Sequence, residues 1–136
     1  MKKYLADANI FLRAFLNDNK DQCKIAESYL KLTSDEKIEI EVISETLFEI
    51  EYVLRKTYEI DKKIIAKWLT GIVTTDYLII EDRLSWLDVL TLYEKINIDL
   101  PDIFLFVKAI INGCDILSFD KDFEKLKKVY KGTSTV

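Results

Sequence analysis

Histidine is missing altogether from the 136 residues of this chain. Its absence removes the Ser-His and Cys-His nucleophile pairs and the paired-histidine route to RNA cleavage. Cysteine occurs only at Cys23 and Cys114, and two thiolates without histidine do not make an ordinary structural zinc site. In a cytoplasmic protein this pair is expected to be reduced and buried rather than bridged. A single proline and three glycines stand against 49% apolar residues, which argues for a packed core and against disorder. No apolar run approaches the ~20 residues that cross a bilayer. Asp7, Asn9 and Arg13 interrupt the stretch that opens like a signal peptide, M-K-K-Y-L-A, so a cytoplasmic location away from membranes is expected. If this chain does chemistry, carboxylates must carry it.

What is present organises into one expected domain over residues 1–136, long enough to bury about two thirds of its unfolded surface. The net charge of −4 gives no general attraction to nucleic acid. Two basic groups stand out, Arg55, Lys56, Lys62, Lys63 and Lys67, and then Lys121, Lys125, Lys127, Lys128 and Lys131. Each taken alone reads as a solvated helix face. The one Ser-x-x-Lys, Ser34 to Lys37, lies in a polar break and reads as a turn.

Periodicity assigns a first strand to Lys3–Ala6 and a helix to Ala8–Leu16, so Asp7 falls where a strand turns into a helix. A second helix is expected over Gln22–Leu32. The strict alternation of Ile38 to Val42 predicts a half-exposed edge strand. Ser44 should cap a helix running to about Tyr58, with Leu47, Ile50 and Leu54 on its buried arc. Glu49 and Glu51 border that arc on opposite sides, and spacing alone does not separate them; Glu51, Glu45 and Asp99 read as solvent-facing. Asp61 should cap the next helix, through Ile72; Tyr77–Ile80 reads as a buried strand and Asp82–Ile96 as an amphipathic helix. Pro101 and Asp102 suit the first turn of a helix that is apolar on most sides through Ile111 and stops at Asn112-Gly113. Ile116–Phe119 is expected as a short buried strand delivering Asp120 and Asp122 to another helix start, and Lys127–Tyr130 as a last edge strand. Trp68, Trp86, Tyr52 and Tyr58 read as core or dimer-interface residues. Strands alternating with helices predict the α/β class, with a mostly parallel sheet covered on both faces. Ligands of such sheets gather beyond the carboxyl ends of the strands, where Asp7, Asp102 and Asp120 are expected to meet.

Several carboxylates held close together repel one another and raise each other's pKa values. Protonation relieves this but leaves groups of little use at neutral pH. A divalent cation also relieves it, and an all-oxygen ligand set selects Mg²⁺ or Mn²⁺. Such ions activate water and neutralise charge developing on a phosphoryl group, which matches hydrolysis of a phosphodiester. A phospho-acceptor signalling domain also gathers acids at strand ends, but it expects an early pair of acids where D-A-N supplies one. A catalytically idle module binding RNA or a partner protein is the other alternative.

The run A-D-A-N, then L-F-E-I-E-Y-V-L-R-K-T-Y-E-I-D, D-L-P-D-I and G-C-D-I-L-S-F-D-K-D-F resembles, in order and spacing, a PIN-domain ribonuclease, and most of all the toxin half of a VapBC toxin–antitoxin pair. The resemblance implies a three-layer α/β/α sandwich and a Mg²⁺- or Mn²⁺-dependent endoribonuclease, usually a homodimer, held in check by a cognate antitoxin protein. It implies Asp7, Glu49, Asp102 and Asp120 as the catalytic acids, which favours Glu49 over Glu51. Asp7, Asp102, Asp120 and Asp122 become the metal ligands, with Asn9 and Ser118 in support. Pro101, Phe104 and Phe106 depart from the small residues expected around the third acid.

Overall fold

The computed structural model describes residues 1–130. Lys131 of the second basic group lies outside them. The chain divides into two compact units, Met1–Arg83 and Leu84 onward.

In the first unit three parallel strands, β1 (Lys3–Leu5), β2 (Glu39–Val42) and β3 (Ile79–Ile80), form a sheet in the order β1-β2-β3. Tyr4 pairs with Ile40, and Val42 with Ile80. Parallel neighbours need a long crossover. The first is made by α1 (Ala8–Leu16) and α2 (Lys20–Ser34), the second by α3 (Ser44–Lys56) and α4 (Lys62–Val73). β2 is therefore the central strand of the three, not the edge expected from its alternation. That alternation is real, since Ile40 and Val42 are buried and Glu39 is exposed, but period 2 reports the faces of a strand and not its neighbours. β3 is shorter than the four residues expected, and the expected run is not buried throughout: Leu78 and Ile80 are buried, whereas Tyr77 and Ile79 are exposed.

Local chemistry sets the ends of these elements. Asn17, at φ 51°, closes α1 in the left-handed conformation, which Asn tolerates better than most residues. Asn19 caps α2 by accepting the Gln22 N–H, and Asp61 caps α4 by accepting that of Lys63. The start of α3 is different: Ile43 takes the cap position, and the Ser44 N–H donates to the Glu81 carboxylate at 2.9 Å. A cap from 37 residues away leaves no trace in the local sequence. Arg83 donates to the carbonyls of Val73, Thr75 and Leu78, sealing the turn between α4 and β3. Leu47, Ile50, Leu54, Ile65 and Leu69 are fully buried, each contributing roughly 1.5–3 kcal/mol of burial. Phe15 stacks on Trp68 at 5.0 Å. Tyr52 is exposed, and Tyr58 lies at the surface, where its hydroxyl meets Asp18.

Glu51 is also buried, with its side chain 3% exposed, contrary to the solvent-facing position expected for it. It lies four residues after Leu47 and three before Leu54, on the buried face. Arg55, one turn on, neutralises it with Nε 2.7 Å from Oε2. Glu45 and Asp99 are exposed as expected.

The second unit contains most of α5 (Arg83–Lys95) with α6 (Leu100–Ile111) and α7 (Asp122–Val129). Its core holds Trp86, Leu100, Ile103, Val107 and Leu126, with Trp86 4.9 Å from Phe104. α6 is amphipathic rather than buried on most sides: Leu105, Ile110 and Ile111 are exposed. Pro101 occupies its first turn, and Gly113, at φ 67°, ends it.

Two expected strands are not strands. Ile116–Phe119 is irregular, and Leu117 and Phe119 are fully exposed. The Asp120 N–H donates to the Ser118 hydroxyl and the Asp122 N–H to the Asp120 carboxylate, so side chains take the donors that a ladder would use. Lys127–Tyr130 is largely the last turn of α7. Phe123 and Leu126 bury one helical face, a period invisible when the last four residues are read alone. Cys114 is exposed, not buried as expected, while Cys23 is buried; both are free thiols. Among the described residues no helix is long and apolar enough to cross a membrane.

Candidate metal centre

Asp102, Asp120 and Asp122 meet in the second unit. One carboxylate oxygen from each lies within 4.8 Å of the others. Three local devices bring them there. Pro101 fixes the first turn of α6 and so the direction of Asp102 beside it, where the helix dipole favours a negative charge. Ser118 Oγ accepts the Asp120 N–H at 2.9 Å, fixing the approach to α7. Asp120 Oδ1 in turn accepts the Asp122 N–H at 2.9 Å, so two of the three acids are held by a single Asx turn.

Burial is the largest influence on Asp102 and raises its pKa above the usual 3.8; the charges of Asp120, Asp99 and Asp122 raise it further. Crowding and partial desolvation thus outweigh the dipole of α6 at this carboxylate. Lys125 Nζ lies 3.5 Å from Asp122, but both its ends are solvent-exposed enough that this pair is weak. The trio therefore carries an excess of negative charge with oxygen donors only, which is the donor chemistry of a Mg²⁺ or Mn²⁺ site.

The remaining sequence-predicted residues belong to the first unit. Asp7 stands at the cap position of α1, is exposed, and makes no capping hydrogen bond with its side chain. Glu49 is exposed on α3, and Asn9 is exposed in the first turn of α1. Thr46 links the two acidic segments: its hydroxyl donates to the Ala6 carbonyl at 3.2 Å in a buried bond. This fastens the turn that carries Asp7 to the helix that carries Glu49. Sequence reasoning passed over Thr46, whose only signal was a hydroxyl one turn before Glu49 on an otherwise apolar face.

The chain matches the family model of the PIN domain over residues 4–129. It belongs to the PIN-domain family. The family is one of typically metal-dependent nucleases, and PIN nucleases use divalent metals. The parallel α/β sheet flanked by helices agrees with that membership. Comparison with curated proteins gives no significant match.

Proposed function

We propose that this PIN-domain protein is a Mg²⁺- or Mn²⁺-dependent endoribonuclease, the toxin of a VapBC-type pair. The observation that carries the reading is the meeting of Asp102, Asp120 and Asp122 at the starts of two helices in a chain of this family. A divalent ion bound there would supply an activated water and a counter-charge for the phosphodiester. The residues of the chain do the rest. Asp102, Asp120 and Asp122 hold the ion, and Ser118 and the Asx turn keep Asp120 and Asp122 in place. Asp7 and Glu49 are the further catalytic acids, with Asn9 in support. Lysines of α7 and the group Lys56, Lys62, Lys63 and Lys67 grip flanking phosphates, which a net-negative protein needs to hold RNA.

The protein acts in the cytoplasm, forms a homodimer and is silenced by a cognate antitoxin. The test is cleavage of single-stranded RNA by the purified chain. Cleavage should require added Mg²⁺ or Mn²⁺, stop in excess chelator and return on adding the metal back. Cleavage that persists at full rate in chelator overturns the metal mechanism. Expression should arrest growth, and co-expression of a protein encoded beside it should relieve the arrest; growth unaffected by an active nuclease overturns the toxin role.

A further inference from the structure

A cavity of about 320 Å³ opens in the second unit between α6, the 114–120 segment and α7. Its volume lies at the small end of the range for ligand pockets, roughly 300–1,000 Å³, the scale of one small planar molecule. Phe106, Phe123 and Tyr130 give it aromatic walls, with Phe106 and Tyr130 edge to face at 5.6 Å. Asp115 and Glu124 add acceptors, and Lys127, 3.6 Å from Glu124, adds a donor. Asp120 belongs both to this wall and to the acidic trio.

From this geometry we infer that the cavity receives one unstacked base of the RNA next to the phosphate that is cut. The inference rests on the ribonuclease reading above. Single-stranded RNA is recognised by splaying bases onto aromatic side chains and hydrogen-bonding their edges. Asp120 in the wall places the cavity directly beside the trio, so a strand whose phosphate reaches the acids brings a neighbouring base to the cavity. A wall with three carboxylates, Asp115, Asp120 and Glu124, favours a base that offers an exocyclic amine, as acidic side chains accept from the amine of cytosine. Adenine, cytosine and guanine carry such an amine; uracil does not. The site therefore selects amine-bearing bases over uracil.

Cys114 lines the cavity and is exposed, whereas Cys23 is buried, which supplies a reporter. The whole chain, without metal, is alkylated with iodoacetamide, and adducts at Cys114 are followed by mass spectrometry. The probes are AMP, CMP, GMP, UMP and ribose 5-phosphate. An amine-bearing nucleotide present at ten times its dissociation constant should slow alkylation of Cys114 about tenfold. UMP should need a higher concentration, and ribose 5-phosphate should have no effect. Ala109→Phe, which fills the cavity from α6, should abolish protection while leaving the circular dichroism spectrum unchanged. Protection by no nucleotide, or equal protection by ribose 5-phosphate, overturns the base site; equal protection by UMP overturns its selectivity. The assay involves neither metal nor cleavage. Nucleotide protection in a protein that cuts no RNA would sink the nuclease reading alone, and an active nuclease without protection would sink the base site alone.

Discussion

Two groups of carboxylates in this protein meet the cost of crowding and burial in opposite ways. In the first unit Glu51 is buried on α3 and is answered by Arg55 from the same helix, at 2.7 Å. In the second, Asp102, Asp120 and Asp122 crowd together, with a weak exposed contact to Lys125 as partial relief. A buried carboxylate with its own guanidinium is finished structure, and a ligand would gain nothing there. A carboxyl whose pKa is raised by partial burial and then by neighbouring negative charges, as at Asp102, is arranged for a positive charge that comes from outside. The contrast separates two glutamates on α3 that periodicity could not: Glu51 belongs to the fold, and Glu49 stays exposed.

The sharpest way to break this contrast is to compare activities. Asp102→Asn and Asp120→Asn should each lower RNA cleavage by well over the roughly 10–100-fold typical of residues behind a metal's ligands. Glu51→Gln, measured in the same assay, should stay within a few-fold of the parent. Equal losses in all three would erase the distinction.

Stability should show the reverse order. Arg55→Ala leaves Glu51 buried without its cation and should cost about 3 kcal/mol, the lower end for breaking a buried pair because Arg55 is itself partly exposed. Urea unfolding followed by circular dichroism would read this, and a change near zero would mean that water reaches Glu51. Thr46→Val removes the bond to the Ala6 carbonyl and should cost about 1–2 kcal/mol. Its cleavage rate should fall as well, if the fastening of the Asp7 turn to α3 matters to the chemistry.

The smallest effect has the most telling sign. A folded-state pKa above the unfolded value means that the native protein binds the proton more tightly at Asp102, so ionising this group destabilises the fold. The penalty is full at neutral pH, shrinks as pH falls through the raised folded pKa, and is gone below the unfolded value of about 3.8. Metal-free Asp102→Asn should therefore melt slightly higher than the parent at pH 7, and the gap should close towards pH 3.5. Added Mg²⁺ should stabilise the parent more than the variant. A variant that melts lower at pH 7 would contradict the repulsion inferred for the trio.

The caps at Asp61, the stop at Asn112-Gly113 and the helix opened by Pro101 were all legible, because each depends on residues within one helical turn. So were the acids themselves, whose residue types and order carried the family resemblance. The centrality of β2, the burial of Glu51 and the cap given to Ser44 by Glu81 were not legible. The first and the last are settled by distant neighbours that periodicity does not specify, and Glu51, at the border of the buried arc, is settled by its pairing with Arg55. The Ile116–Phe119 segment shows the limit best: its composition suits a strand, yet Ser118 and Asp120 hold the local donors in turns.

By itself the sequence determined the class of fold, through helices and strands in alternation, and the class of chemistry, because a chain without histidine has carboxylates as its means of acid–base and metal work. Tertiary structure alone decided which carboxylates keep company and which are neutralised. Distance and burial govern charge energetics, and two acids 18 residues apart, such as Asp102 and Asp120, acquire a shared electrostatic fate only when the folded chain brings them within a few ångströms.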